Sequence, residues 1–508
     1  MKSYRSVKYT CAQAVQVTSF RATQNREISV NSTKTRLCMI AFSLLLLLGL
    51  PPLPAQENKV AQEDRVAKND KGAESSEAKT TAKPDAELYE LLQLFVDTLD
   101  QVDRNYVKDV DRRKLVEGAI RGMMNELDPY SSYIPPKDLE RFRTGVESEF
   151  GGIGIQVTTD DGYLTVISPL VGSPAYKAGI MSGDQIVAIE GESTKGISLP
   201  EAVKKLKGKV GTKVKVTLLR QGAKDREEIS LERQIVKVET IMGDRRNDDA
   251  TWNYLIDEER AIAYLRINSF GRRTTADLKK TLKQLQDAEK IKGLILDLRF
   301  NPGGLLSSAI EVSDLFVAKG RIVSTDGRNA PERTWDAASR GTYADFPMVV
   351  LVNRYSASAS EIVSACLQDH DRAVIVGERS YGKGSVQNIV ELEGGKSAMK
   401  ITTAGYHRPS GKNIHREKNA ADDDVWGVSP NEGFAIKASL EENRAIANDR
   451  RSREKVRRPD DEPLDHTSDK QVDAAIRHLA KELGKPLPKE EKDPVEEKEP
   501  AVETTEAK

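Results

Sequence analysis

From Ala261 onward the chain alternates strand-like apolar runs with helix-patterned ones. AIAYLRI precedes TTADLKKTLKQLQDAE, GLILDLR precedes LLSSAIEVSDLFV, MVVLVN precedes ASEIVSACLQDH, and AVIVG closes the series. Strands that alternate with helices in this way build an α/β layer fold around a largely parallel sheet. This pattern limits the chain more than any other feature, and it sets a core domain over residues 245–440.

Three segments stand at the ends of these strands. LDLRFNPGGLL, Leu296 to Leu306, puts two glycines between a strand and a helix, where exposed N–H groups can hold an anion or an oxyanion. NRYSASASEIVSA, Asn353 to Ala365, sets its serines on a strand-to-helix turn, the place where a nucleophile is presented sharply. GERSYGKGSVQ, Gly377 to Gln387, is nearly a phosphate-binding loop. Gly377, Gly382 and Lys383 fit, but Gly384 stands where the Mg²⁺-holding hydroxyl belongs and Ser385 comes one place late. No second acidic magnesium motif follows, which argues against nucleotide chemistry. Taken singly, each segment has an ordinary reading, as a helix cap or a glycine turn.

Upstream the patterning changes twice. ELYELLQLFVDTLDQVDRNY and RKLVEGAIRGMMNEL space apolar residues as helices do. DPYSSYIPP breaks the pattern and KDLERFRTGV restores it, giving a helical module over 86–145. Residues 146–237 hold the β-type runs GGIGIQV, YLTVIS, QIVAIEG, KVKVTLLR and EEISLER with one helix, LPEAVKKLKG, among them. SPAYKAGIMSGDQIVAIEG, Ser173 to Gly191, resembles the hallmark run of PDZ domains. That resemblance implies capture of an extended C-terminal peptide by strand addition. Gly152, Ile153, Gly154 and Ile155 would cradle the terminal carboxylate, and the helix from Leu199 to Leu206 would line the groove.

The three strand-end segments, in this order and behind a PDZ-like domain, resemble the C-terminal processing (tail-specific) peptidases. NELDPYSSYIPP and TTAGYHRPSGKNI belong to the same likeness. The resemblance implies a multidomain α+β and α/β protein: helical N-terminal module, PDZ β-domain and a ClpP/crotonase-like protease core. It implies a Ser-Lys dyad, with Ser358 as nucleophile, Lys383 as general base and Gln387 orienting the lysine. The oxyanion hole would use the N–H groups of Gly304 and Ala359. A lysine base works only as the neutral amine, so its pKa must lie far below the free value near 10.4. The expected activity is that of a serine endopeptidase that cuts exported proteins near their C-termini. Its partners would be protein substrates with exposed nonpolar C-termini, with room for an adaptor or regulator. A non-catalytic PDZ scaffold is the alternative.

Composition excludes other classes. Acidic and basic residues nearly cancel, 79 against 78, leaving no global pull toward nucleic acid. No His, Cys and carboxylate cluster has zinc spacing, so no metal is expected, and neither is a cofactor or nucleotide. His370 is a weak rival base, at an expected helix end. His407 and His415 lie in a polar stretch without an acidic partner at motif spacing. LCMIAFSLLLLLGL, Leu37 to Leu50, follows Lys34 and Arg36 and reads as a signal-peptide core within 1–55. That implies export to the periplasm or cell envelope, with a membrane tether if the leader is not cleaved. Cys11 and Cys38 would leave with it, and Cys366 reads as core. Residues 56–85 read as a disordered linker. Residues 441–508 read as a charged tail carrying one amphipathic helix near Lys470 to Leu483.

Overall fold

The computed structural model describes residues 86–457 and 468–487, apart from 221 and 422, together with a strand at Val15–Val17. The leader and linker expectations otherwise fall outside the described residues. The chain divides into two compact units. The smaller holds the helix Ala86–Asn105, which buries none of its side chains. The larger includes everything described from Val116 on, so the module expected over 86–145 is split between the two.

In the larger unit the expected parallel sheet is present. Ile262–Ile267, Gly293–Asp297, Met348–Val352 and Val374–Gly377 pair in parallel, with Leu265, Leu296, Val350 and Ile375 in register. Ile241–Met242 and Leu255–Asp257 add antiparallel pairings to Ile262–Ile267. Successive side chains on a strand point to opposite faces. Ala263, Leu265, Leu294, Leu296 and Val350 therefore meet the crossover helices Thr274–Asp287, Leu306–Asp314 and Ala359–Asp369 through Leu278, Val312, Ile362 and Cys366. The alternate residues Ile262, Tyr264, Ile295, Val349, Leu351 and Val376 face a different helix, Lys470–Glu482, which packs Val472, Ala475 and Leu479 on them.

The packing on this sheet thus extends past residue 440. The helix Leu440–Glu454 also buries Asn443, Ile446 and Arg450, so residues 440–482 include structural parts of the core. Charge dominated the sequence signal because the buried stripe of the last helix is narrow.

A second, antiparallel sheet runs in the order Ser385–Leu392, Ser397–His407, Arg321–Gly327, Ala330–Asp336. Ser132–Ile134, from DPYSSYIPP, pairs with Ser397–His407, and Val15–Val17 pairs with Ser385–Leu392. Between the module and the core lies a five-strand path ordered Ile155–Asp160, Tyr163–Pro169, Gln185–Ile189, Lys213–Leu219, Arg226–Glu232. Its core includes Leu164, Ile180, Ile186, Val216 and Leu218. Each expected β-run and the helix Leu199–Leu206 are found here.

Candidate active site

Three loops converge at the ends of the parallel strands. Strand Met348–Val352 leads into the turn that carries Ser358, at φ 59° and ψ −114° immediately before the helix Ala359–Asp369. A non-glycine residue in that region is strained and persists only when its surroundings fix it. Here they do. Ser356 Oγ accepts from Asn353 N at 2.9 Å and donates to Leu298 O at 2.8 Å. Ser360 Oγ donates to Asn301 O at 3.0 Å. The flanking serines thus stitch the turn.

Ser358 is fully buried, and the Tyr406 hydroxyl faces its side chain. Lys383 is buried too, and its Nζ donates to Gln387 Oε1 at 2.6 Å. Gln387 is fixed in turn through Nε2, which donates to Ser385 Oγ at 2.9 Å and Thr402 Oγ1 at 3.3 Å. The Tyr130 ring, from DPYSSYIPP, stands 5.2 Å from Lys383 Nζ.

Glu361 ties the Ser358 turn to the Lys383 loop. Its Oε2 accepts from Ser358 N at 2.7 Å and from Lys383 N at 2.8 Å. Its Oε1 accepts from Gly382 N at 2.6 Å and from the Ser380 hydroxyl. Burial raises the Glu361 carboxyl pKa, and these four donors oppose the rise. Backbone N–H groups that would meet a phosphate in a nucleotide loop are occupied here by the protein's own carboxylate.

The glycine turn closes the third side. Gly303 packs so tightly that an added Cβ would lie 2.8 Å from Ala357 O and 2.9 Å from Ser358 Cβ. Its N–H is used by Asn301 Oδ1 at 2.8 Å. Gly304, at φ 153°, lies against Phe270. Among the described residues, neither the Gly304 N–H nor the Ala359 N–H is taken up by a hydrogen bond.

The sequence pattern described as peptidase family S41 matches residues 261–431. Those described as PDZ domain and as activating protease CtpB N-terminal domain match 142–219 and 55–137. The carboxy-terminal-processing protease of Bartonella bacilliformis is 41% identical over 66% of this chain and 75% of that protein. The chain belongs to the carboxy-terminal processing protease family. Another relative is the carboxy-terminal processing protease CtpA of Bacillus subtilis, 37% identical over 63% of this chain and 65% of that protein. A solved structure of a photosystem II D1 C-terminal processing protease is 30% identical, covers 69% of this chain and 95% of that one, and has a TM-score of 0.37.

In this S41 protease the histidines lie on other partners. His370 Nε2 meets Arg321 O at 2.7 Å, and His407 Nδ1 is 3.5 Å from Asp326 Oδ1. His415 Nδ1 accepts from Gly384 N at 3.4 Å. Among the described residues no helix is long and apolar enough to cross a membrane. Glu361 stands in the first turn of its helix, and its spacing in the sequence does not reveal its reach to the lysine loop. Tyr130 and Tyr406 carry no comparable sequence signal; the Tyr406 hydroxyl donates to Lys383 O and is held well above its usual pKa, first by burial.

Proposed function

We propose that this protease is a serine endopeptidase in which Ser358 attacks the scissile carbonyl while Lys383, as neutral amine, takes its proton. The tetrahedral oxyanion would sit on the N–H groups of Gly304 and Ala359. Collapse expels the amine leaving group, which receives the proton from Lys383. Water activated by the same amine then releases the acyl group. The observation that carries this reading is that a buried Ser358 and a buried Lys383 lie on two loops whose backbone N–H groups share one oxygen of Glu361. The choice of glycine is supported by Gly303 spending its N–H on Asn301.

The PDZ domain in this reading captures the substrate. Ile155–Asp160 is the edge strand of its sheet, open to strand addition. Gly154 takes φ 77°, and a Cβ there would fall 2.2 Å from Ser173 Cβ, so the tight carboxylate-side turn needs glycine. The Ile153 side chain is buried in the domain core, leaving its backbone to contribute alongside Gly152, Gly154 and Ile155. Substrates are exported proteins with exposed nonpolar C-termini, consistent with a leader sending the enzyme to the periplasm or envelope.

The test is to incubate wild type, Ser358→Ala and Lys383→Ala with a disordered protein, with and without its apolar C-terminal residues. Neither variant should cleave, and removing the apolar terminus should slow the wild type. Cleavage retained by both variants sinks the dyad. No cleavage by wild type, with peptide binding intact, favours the scaffold alternative.

A further inference from the structure

The turn that delivers Gly304 passes through Phe300, which is held at φ 61°. A bulky residue stays in that left-handed region only when its surroundings over-determine it. The local part of the support is Phe300 N donating to Asn353 Oδ1 at 3.0 Å and the Phe300 ring stacking on Tyr355 at 5.5 Å. The rest comes from beyond residue 440.

Arg299, beside Phe300, is almost wholly buried. Its Nη2 pairs with Asp297 Oδ2 at 2.7 Å. Its Nη1 donates to Asp469 Oδ1 at 2.9 Å and to Gln471 Oε1 at 2.8 Å. Arg450 pairs with the same Asp297 and sets its guanidinium 5.5 Å from the Phe300 ring. Asp297 alone would face two buried guanidiniums, and a buried charge without a partner is strongly unfavourable. Asp469 supplies the second carboxylate, so the cluster balances only when the segment starting the helix Lys470–Glu482 is docked.

We propose that Asp469, assisted by Gln471, is a positioning residue of the active site. By neutralising and orienting Arg299 it fixes the Arg299–Gly304 turn, and with it the direction of the Gly304 N–H. This rests on the reading of Gly304 as an oxyanion donor. Small displacements of such a donor cost up to about a hundredfold in rate.

Asp469 also caps its helix, accepting from Gln471 N at 3.2 Å and Val472 N at 3.3 Å. Asparagine caps as well as aspartate, so Asp469→Asn in the full chain removes the charge and keeps the cap. The expected result is a kcat lower by about ten- to a hundredfold with KM within about twofold. Hydrogen exchange should become faster across 298–306 and stay unchanged across 385–392. Gln471→Met, which leaves both carboxylates, should shift both readouts the same way by less, and it decides the matter if Asp469→Asn does not fold. Unchanged kcat and unchanged exchange in 298–306 overturn the proposal, as does exchange raised evenly over the whole sheet. Wild type lacking Ser358-dependent cleavage would instead sink the functional reading, while the exchange comparison would still judge the brace.

Discussion

Ser358 and Lys383 donate their backbone N–H groups to one and the same oxygen, Oε2 of Glu361. The two nitrogens can lie no further apart than those two bonds allow, and neither loop can shift without disturbing the other. Glu361→Gln keeps the shape but turns an NH₂ toward converging donors on at least one side. It should lower kcat/KM by about ten- to a hundredfold and lower the melting temperature. A variant with wild-type kcat/KM would show that the shared oxygen does not set the geometry.

Gln387 gives Lys383 a neutral acceptor. Gln387→Glu would put a negative charge there, favour the ammonium and raise the lysine pKa. The proposed base must be neutral to work, so the acid limb of the pH profile of kcat/KM should move to higher pH by about one unit or more. Activity at pH 7 should fall and recover in alkali. An unmoved limb would mean that Lys383 is not the titrating base.

Gly304 has no room for a side chain, since an added Cβ would sit 2.1 Å from Phe270 O. Gly304→Ala should destabilise the protein by more than about 1 kcal/mol and abolish cleavage. Urea unfolding and a peptide assay would check both. Full activity would require another donor for the oxyanion.

Asp297 and Asp469 are both held below the usual carboxylate range. Burial, the largest single influence, works against this, but the Arg299 and Arg450 charges and the hydrogen bonds to the carboxylates together outweigh it. A depressed folded pKa gives stability that is complete above the unfolded value, near 3.9, and is lost as pH falls below it. Stability should therefore drop steeply below about pH 4, and the Asp469→Asn variant should show a shallower slope there. Equal slopes would take Asp469 out of the acid transition.

Burial pushes the Cys366 thiol up to about 12. At pH 8 almost none of it is thiolate, the reactive form. In a Cys11→Ser, Cys38→Ser variant, the folded protein should ignore an aromatic disulfide reagent and react with it once unfolded in guanidinium. Fast labelling of native protein would contradict the packing of the helix Ala359–Asp369.

Much of this molecule is legible in its sequence, and the exceptions share a cause. The parallel strands are apolar almost throughout, so Met348–Val352 announces itself. The turns after them carry unusual residues, so Ser358, Lys383 and the glycines of LDLRFNPGG stand out. Glu361 does not, because an acid three residues into a helix is already explained by capping, and nothing in its spacing reveals a second set of donors around residue 382. Tyr130, Ser380 and Tyr406 are ordinary residue types that matter only through tertiary proximity. Arg450 misleads outright, since arginine in a charged stretch reads as surface until its carboxylate is seen, and nothing around Arg299 in LILDLRFNPGG points to its partner Asp469. The same bias hid the helix Leu440–Glu454, whereas the helix expected near Lys470 to Leu483 is present as Lys470–Glu482.

The cover that Lys470–Glu482 places over Ile262, Tyr264, Ile295, Val349, Leu351 and Val376 has a consequence in time. A ribosome delivers those six residues well before it reaches Val472, and domains tend to fold as units while they emerge. Until Val472, Ala475 and Leu479 arrive, one face of the sheet has no lid and Arg299 lacks its second carboxylate. The newborn chain must carry its strands unfinished through much of its synthesis, which defers the appearance of a working hydrolase until its later segments exist.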